Sequence, residues 1–331
     1  MANLLRKKTF LNFFPVPEYL LLSTAGIVIT DDDTKFVELH RKLFKEEFKL
    51  ARFNKQENPP GAVESGLIND PGKLAPVLKA IVPGRSIRYV HATLPEEKAY
   101  LFTVSVNRVS AGELKDAVAS IIEENVPVSL AESVFDLEVI EESSSESEAK
   151  LAVSVLPKNI VNSYAALLES AGLTPVSFDI ESRAIARAII PRGSRESTLI
   201  INLGRKRTGF YVVENGVVQF STTPAYGIGG DDSYPSIPDL KAEMRKVFAF
   251  WDARSGESPG GQGKKIGKIL LCGAGANRKD FIDKFLSESS VPYAPADVQA
   301  NFPSFGRRDS KMSLDESLDY CSAIGLVLPH H

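Results

Sequence analysis

Two hairpins of one design constrain what this chain folds into more than any other feature. The first runs "GIVIT" from Gly26, turns at Asp31-Asp32-Asp33 and returns as "TKFVEL". The second runs "TLIIN" from Thr198, crosses the loop "LGRKR" and returns as "TGFYVV" from Thr208. A further turn at Glu214-Asn215-Gly216 leads into "VVQFS", because Asn-Gly accepts the positive φ angles of a type I′ turn. Each half of the chain opens on antiparallel β-branched strands and continues into helices and more strands. That order predicts an α/β fold of two similar lobes with a cleft between them.

Composition narrows the function classes. The 331 residues are 43% hydrophobic and 24% charged, which permits a large buried core. A formal net charge of −3 argues against a nucleic-acid partner, since no overall positive field gathers phosphates. Cys272 and Cys321 lie far apart in the chain and read as reduced cytoplasmic thiols. His330 and His331 close the chain like a tag remnant, and His40 and His91 form no zinc-ligand cluster. "LLRKKTFLNFFPVPEYLLLS" begins like a signal peptide, but Pro15, Pro17 and Glu18 interrupt its apolar run. An extended segment packed on the fold is expected there. No window approaches the ~20 apolar residues of a membrane helix.

Periodicity places the other elements. "AGELKDAVASIIEENV" carries Leu114, Val118, Ile121 and Ile122 on one helical face. "SSSESE" joins two strands as a polar turn, and Gly172 stops the helix "NIVNSYAALLESAGL". "SLDYCSAIGLVLP" reads as one apolar helix. Three turns offer themselves to phosphate: the one that precedes Lys35, the segment Asn202 to Thr208, and Gly273-Ala274-Gly275-Ala276. Small residues let a ligand approach the backbone, and a helix N-terminus supplies free N–H groups. Taken singly, each is equally a plain turn; Asp31–Asp33 read as a solvated turn, and Arg205-Lys206-Arg207 as a phosphate partner or an exposed basic turn.

In chain order, "STAGIVITDDDTKFVEL", "PPGAVESGLINDPGKL", "LLESAGLTPVSFDIESRAIARAII", "INLGRKRTGFYVVENGVVQFS", "ILLCGAGANRKDFIDKFL" and "YCSAIGLVL" resemble the PilM family of type IV pilus assembly proteins, actin-like relatives of FtsA. The likeness runs from about Pro15 to Leu328. It implies an actin-like fold of two ribonuclease-H-like lobes, with an FtsA-like extra subdomain and a reduced second lid subdomain. The first lobe is expected at 15–91 and 172–195, the insert at 92–171, the second lobe at 196–230 and 266–328, and the lid at 231–265. The resemblance also implies ATP in the cleft. Its candidate contacts are Lys35, Asn202, Gly204, Arg205, Thr208, Gly229, Gly230, Gly273, Ala274 and Gly275.

Two positions depart from the family pattern. Its first phosphate hairpin reads Gly-Ile-Asp-Ile-Gly where this chain has Gly26 to Thr30 with Val28 at the centre, and its second begins Asp-x-Gly where this chain has Asn202-Leu203-Gly204. Magnesium is held through carboxylates and water, so these losses argue against it; Asp31, Asp32 and Asp33 are the substitute candidates. The resemblance therefore implies a cytoplasmic scaffold with a degenerate nucleotide site, peripheral at the inner membrane face. It binds the N-terminal peptide of a PilN-like membrane protein, beside other pilus platform proteins and possible copies of itself. The alternatives are an active ATPase or small-molecule kinase, which needs a positioned carboxylate, and an FtsA-like division filament. Against the last, no amphipathic membrane helix follows "AIGLVLPHH".

Overall fold

The computed structural model describes residues 24–41, 48–82, 84, 87–107, 111–142, 148–229, 237–256, 264–302, 305 and 312–329. The expected N-terminal extended segment, Gly230 and the two terminal histidines lie outside them.

Strands β1 (Thr24–Ile29), β2 (Asp33–Arg41) and β3 (Phe48–Glu57) form an antiparallel meander. A small hairpin of β4 (Val63–Glu64) and β5 (Leu67–Ile68) leads to helix α1 (Pro71–Ile81), capped by the Asp70 carboxylate, which accepts from the Lys73 N–H. Strand β6 (Tyr89–Leu94) pairs in parallel with β1. Strand β7 (Tyr100–Asn107), helix α2 (Ala111–Asn125) and strands β8 (Ser133–Glu142) and β9 (Glu148–Pro157) follow, the strands making a separate sheet in the order β7-β9-β8. Helix α3 (Lys158–Ser170) and strand β10 (Thr174–Ile180) return the chain to the first sheet, and helix α4 (Glu181–Ile189) leaves it.

The second half repeats the plan. Strands β11 (Thr198–Leu203), β12 (Thr208–Glu214) and β13 (Val217–Thr222) form a meander, and the Asn215-Gly216 turn takes positive φ at both residues. Helix α5 (Ile237–Gly256), strand β14 (Lys268–Cys272), helix α6 (Lys279–Phe285) and strand β15 (Tyr293–Pro295) come next, then helices α7 (Leu314–Ser317) and α8 (Cys321–Val327). The first sheet is ordered β10-β6-β1-β2-β3 and the second β15-β14-β11-β12-β13. Position by position they carry the same two antiparallel and two parallel pairings.

Helices α4 and α8 join the two sheets. Val28 and Val37 of the first sheet, Ala184 and Ile185 of α4, Ala323 and Ile324 of α8, and Leu199, Ile200 and Ile201 of the second share one buried cluster. The packing is close because the contacts are small: a methyl on Gly325 would overlap the Ala184 carbonyl, and one on Gly26 would meet that of Ala323. A second cluster fills the other face of the first sheet and takes in Ile160, Tyr164, Leu167 and Leu168 of α3. The sheet β7-β9-β8 has its own core under Val118 and Ile122 of α2. It also touches the second lobe, where Ile140, Ala152 and Val217 pack together and Arg254 donates to Thr103 Oγ1.

The C-terminal apolar stretch is not one helix. Ser313 caps α7, a single 3₁₀ turn spans Leu318–Tyr320, and α8 starts afresh at Cys321. The Gly273 N–H donates to the Leu318 carbonyl at 2.8 Å, a bond from outside that ties the turn to the carboxyl end of β14. Among the described residues, no helix is long and apolar enough to cross a membrane.

The α4–α8 crossing yields a first prediction. Gly325→Ala is expected to lower stability by about 1–3 kcal/mol, because the methyl meets backbone and not a side chain that can move. Urea denaturation measures it; an unchanged midpoint would mean that the crossing relaxes.

Candidate functional site

The carboxyl ends of β1, β6 and β10 from one sheet, and of β11 and β14 from the other, converge on a single cavity. Open α/β sheets take their ligands at such strand ends. Its volume is about 90 Å³. Lys35, Asn202, Gly204, Arg205, Gly273 and Ala274 line it, with Asp31, Asp32 and Asp33. Thr208, Gly229 and Gly275 do not. Gly229 and Gly275 serve the walls instead, donating to the Arg205 and Leu203 carbonyls at 2.9 Å each. The Thr208 hydroxyl is buried and finds no hydrogen-bond partner among the described residues.

The two hairpin turns meet across the mouth of this cavity. The β1–β2 hairpin closes on the pair Ile29–Thr34 and the β11–β12 hairpin on Leu203–Thr208, so Thr30-Asp31-Asp32-Asp33 and Gly204-Arg205-Lys206-Arg207 are equivalent four-residue turns. They pair in reverse order. Arg205 reaches Asp33 at 3.3 Å, Lys206 reaches Asp32 at 3.2 Å, and Arg207 reaches Asp31 at 3.2 Å. The solvated acidic turn and the free or exposed basic turn that the sequence suggests are both corrected here: each turn is the other's partner. The pairs are unequal. Lys206 is 54% exposed, and such a pair contributes roughly 0–1 kcal/mol. Asp31 is 9% exposed and also accepts from the Ser65 and Gly66 N–H groups at 2.9 and 3.0 Å.

Deeper in the cleft the charges are exchanged. Lys35 and Lys55 of the first sheet bind Asp319, which precedes α8, at 2.8 and 2.6 Å. They also bind Asp33 at 3.2 and 3.1 Å. Burial alone would raise the Asp33 pKa, but these two ammonium groups outweigh it and hold the carboxyl at about 2. Its stabilising contribution is present above its ordinary value of 3.8 and is lost as pH falls toward 2. Behind them, Glu181 stands at the end of β10, where the Tyr211 hydroxyl donates to it at 3.4 Å. Burial, opposed by Lys35 and aided by Glu96 and Glu97, pushes Glu181 up to about 7. Burial raises Glu96 too, although Ser182 donates to it through backbone and hydroxyl at 2.9 and 2.8 Å.

The comparisons with known proteins agree with this layout. The family profile of type IV pilus assembly protein PilM matches residues 26–239. The chain belongs to the PilM family. A structure described as the PilM-PilN type IV pilus biogenesis complex aligns at TM-score 0.75 and 19% identity, over 92% of this chain and 97% of that one. The ethanolamine utilization protein EutJ from Carboxydothermus hydrogenoformans aligns at TM-score 0.53 and 12% identity, over 94% of this chain and 89% of that one. No curated protein sequence matches. The fold is actin-like.

An actin-like fold implies ATP with a magnesium ion, and the residues around this PilM-family cleft do not fit that pair as they stand. The cations that would meet phosphate already bind carboxylates. Val28 is packed in the interlobe core at 1% exposure, and the Cys272 thiol lies 3.8 Å from Asn202 Oδ1. Among the described residues, no group of three or more His, Cys, Asp or Glu is arranged to hold a metal. Asp31–Asp33 are therefore engaged as ion-pair partners and not grouped as ligands.

Sequence reasoning missed Glu96, Glu97, Glu181, Tyr211 and Asp319, which all line the cavity. The signal for Glu181 was its place directly after the strand "TPVSFDI". Asp319 carried none, since its contacts come from the far end of the chain. Glu181 generates the second prediction. The stability tied to its raised pKa is fully present below 4.5 and is lost as pH rises through about 7. Glu181→Gln should stabilise the protein at pH 8 by up to about 3 kcal/mol, with the gain vanishing below pH ~4.5. Thermal melts across that range test it; a gain independent of pH would mean that the carboxyl is not the cause.

Proposed function

We propose that the chain is a non-hydrolysing PilM-type scaffold of the type IV pilus inner-membrane platform, held at the cytoplasmic face of the membrane by the N-terminal peptide of a PilN-like protein. The observation that carries the non-hydrolysing part is the pairing of the two phosphate-type turns with each other, beside Val28 and Asn202 where the family pattern has carboxylates. Loss of a positioned acid or base costs roughly 10²–10⁴ in rate before any effect of a closed cleft.

The partner rests on the structural likeness to a PilM bound to PilN, and two local features support it. Strands β8 and β10 are both sheet edges, and they carry the exposed Val134, Val139 and Val176. Arg183 of α4 ties them together through Asp136, Glu138 and Asp179. Sheet edges that expose apolar side chains suit an extended peptide that adds main-chain bonds and fills alternate pockets. In this reading the first lobe holds the sheet β10-β6-β1-β2-β3 with α1 and also α3, which the resemblance put in the insert 92–171 but whose Ile160, Tyr164, Leu167 and Leu168 pack with the first sheet. The insert holds β7 to β9 with α2, the second lobe holds β11 to β15, and α5 stands for the reduced lid.

Two outcomes are expected. The cytoplasmic N-terminal peptide of the cognate PilN-like protein should bind saturably in isothermal titration, and Val139→Asp with Val176→Asp should weaken it at least about tenfold, the effect of 1.4 kcal/mol. No saturation at high micromolar peptide would sink the partner assignment. Phosphate release from ATP with magnesium should stay at the level of a protein-free control; turnover typical of working enzymes, about 1 s⁻¹ or above, would return the family's ATPase reading.

A further inference from the structure

We infer that Cys321 and Cys272 form an oxidation site, at which hydrogen peroxide converts the two thiols into one disulfide that staples the second sheet to helix α8. The inference goes beyond the scaffold reading and does not rest on it, since it concerns neither a nucleotide nor the partner peptide.

The placement of the two sulfurs carries it. Cys272 is the last residue of β14 and Cys321 the first of α8, and both thiols are free and buried, at 0% and 2% exposure. The 2.8 Å bond from the Gly273 N–H to the Leu318 carbonyl sets the residue after Cys272 against the turn that leads into Cys321. The two thiols are themselves in hydrogen-bond contact. Their surroundings differ, and that difference assigns their roles. Cys321 lines the cavity beside Asp319 and Ser322, whereas Cys272 stands behind it with its sulfur 3.8 Å from Asn202 Oδ1. The bond to Cys321, burial, and the acids Glu181 and Asp319 push the Cys272 thiol well above its ordinary value. A small oxidant in the cavity therefore meets Cys321 first, and Cys272 is the resolving thiol.

The chemistry balances in two steps. The Cys321 sulfur attacks one peroxide oxygen, the O–O bond breaks, and the thiol proton leaves with the released hydroxide as water. The Cys272 sulfur then attacks the Cys321 sulfenic acid, the S–O bond breaks, and the second water carries off the Cys272 proton. Two thiols lose two electrons in all, and one peroxide becomes two waters. Burial makes the reaction slow, and it disfavours bulky disulfide oxidants more than peroxide. The product joins elements of both lobes. Helix α8 lies on β1, where Gly26 leaves room for the Ala323 carbonyl, while β14 belongs to the second sheet. The disulfide would thus tie the lobes together at the back of the cleft, and it would also constrain the unfolded chain.

The chain has two cysteines, so mass spectrometry assigns each product. The full chain, folded and free of added thiols, is treated with millimolar hydrogen peroxide. It should lose two hydrogens per molecule and give one linked peptide pair, Cys272 with Cys321, which dithiothreitol separates. The oxidised protein should melt at least about 3 °C above the reduced one. Cys272→Ser should stop at a sulfenic acid on Cys321 that dimedone captures, and Cys321→Ser should leave Cys272 unmodified over the same time. Thiols that stay free in the folded chain yet react once urea unfolds it overturn the inference. So does a disulfide between two chains, an unchanged melting temperature, or oxidation of Cys272 at the native rate in Cys321→Ser. Should a serine variant fold poorly, the linked peptide and the melting shift of the native protein decide alone.

Discussion

The Ala184 carbonyl lies where a side chain on Gly325 would be, so α4 and α8 cross with their backbones in near contact. On the other side of α8, Gly26 leaves room for the Ala323 carbonyl against β1. Strand, helix and helix are thus stacked closely enough that neither glycine has room for a side chain. A protein interior at this density transmits displacement and does not absorb it. The separation of the two sheets follows, and with it the distance across which turns of only four residues can touch. A wider stack would leave the same charges facing water.

Given that spacing, the charges sort themselves crosswise. The first lobe offers acids on its turn and cations on β2 and β3; the second offers cations on its turn and the acid Asp319 before α8. Among the described residues, each turn's charges are thereby met by the opposite turn. Truncating one partner of the buried Lys35–Asp33 pair is costly, about 3–5 kcal/mol, because the remaining charge stays behind without compensation, whereas the exposed Lys206–Asp32 pair is worth far less. Glu181 is one of three buried acids, with Glu96 and Glu97, whose pKa burial raises. Lys35 draws it toward ionisation, but burial and the neighbouring Glu96 and Glu97 outweigh that pull, and its pKa comes to rest near neutrality at about 7.

The departures from the family pattern have physical successors. Val28 is part of the apolar contact between the lobes and also lines the cavity, opposite Lys35 in the β1–β2 register. Asn202 keeps its side-chain oxygen within reach of the Cys272 thiol and retains polarity without charge.

What the sequence determined alone was local. The β-branched alternation, the Asn215-Gly216 turn and the Gly172 stop all depend on residues a few positions apart, and the matching hairpins announced a repeated α/β plan. The actin-like class was legible for the same reason, since motif order survives where individual residues change. Tertiary structure alone decided the meeting of Asp31–Asp33 with Arg205–Arg207, between residues 172 to 176 positions apart. It also decided the break in the C-terminal helix, which turns on a bond from Gly273 to Leu318. Net charge and spacing are blind to such pairs. Whether an acid and a base meet depends on sheet order and on the thickness of what lies between, and here that thickness is two glycines set against two alanine carbonyls.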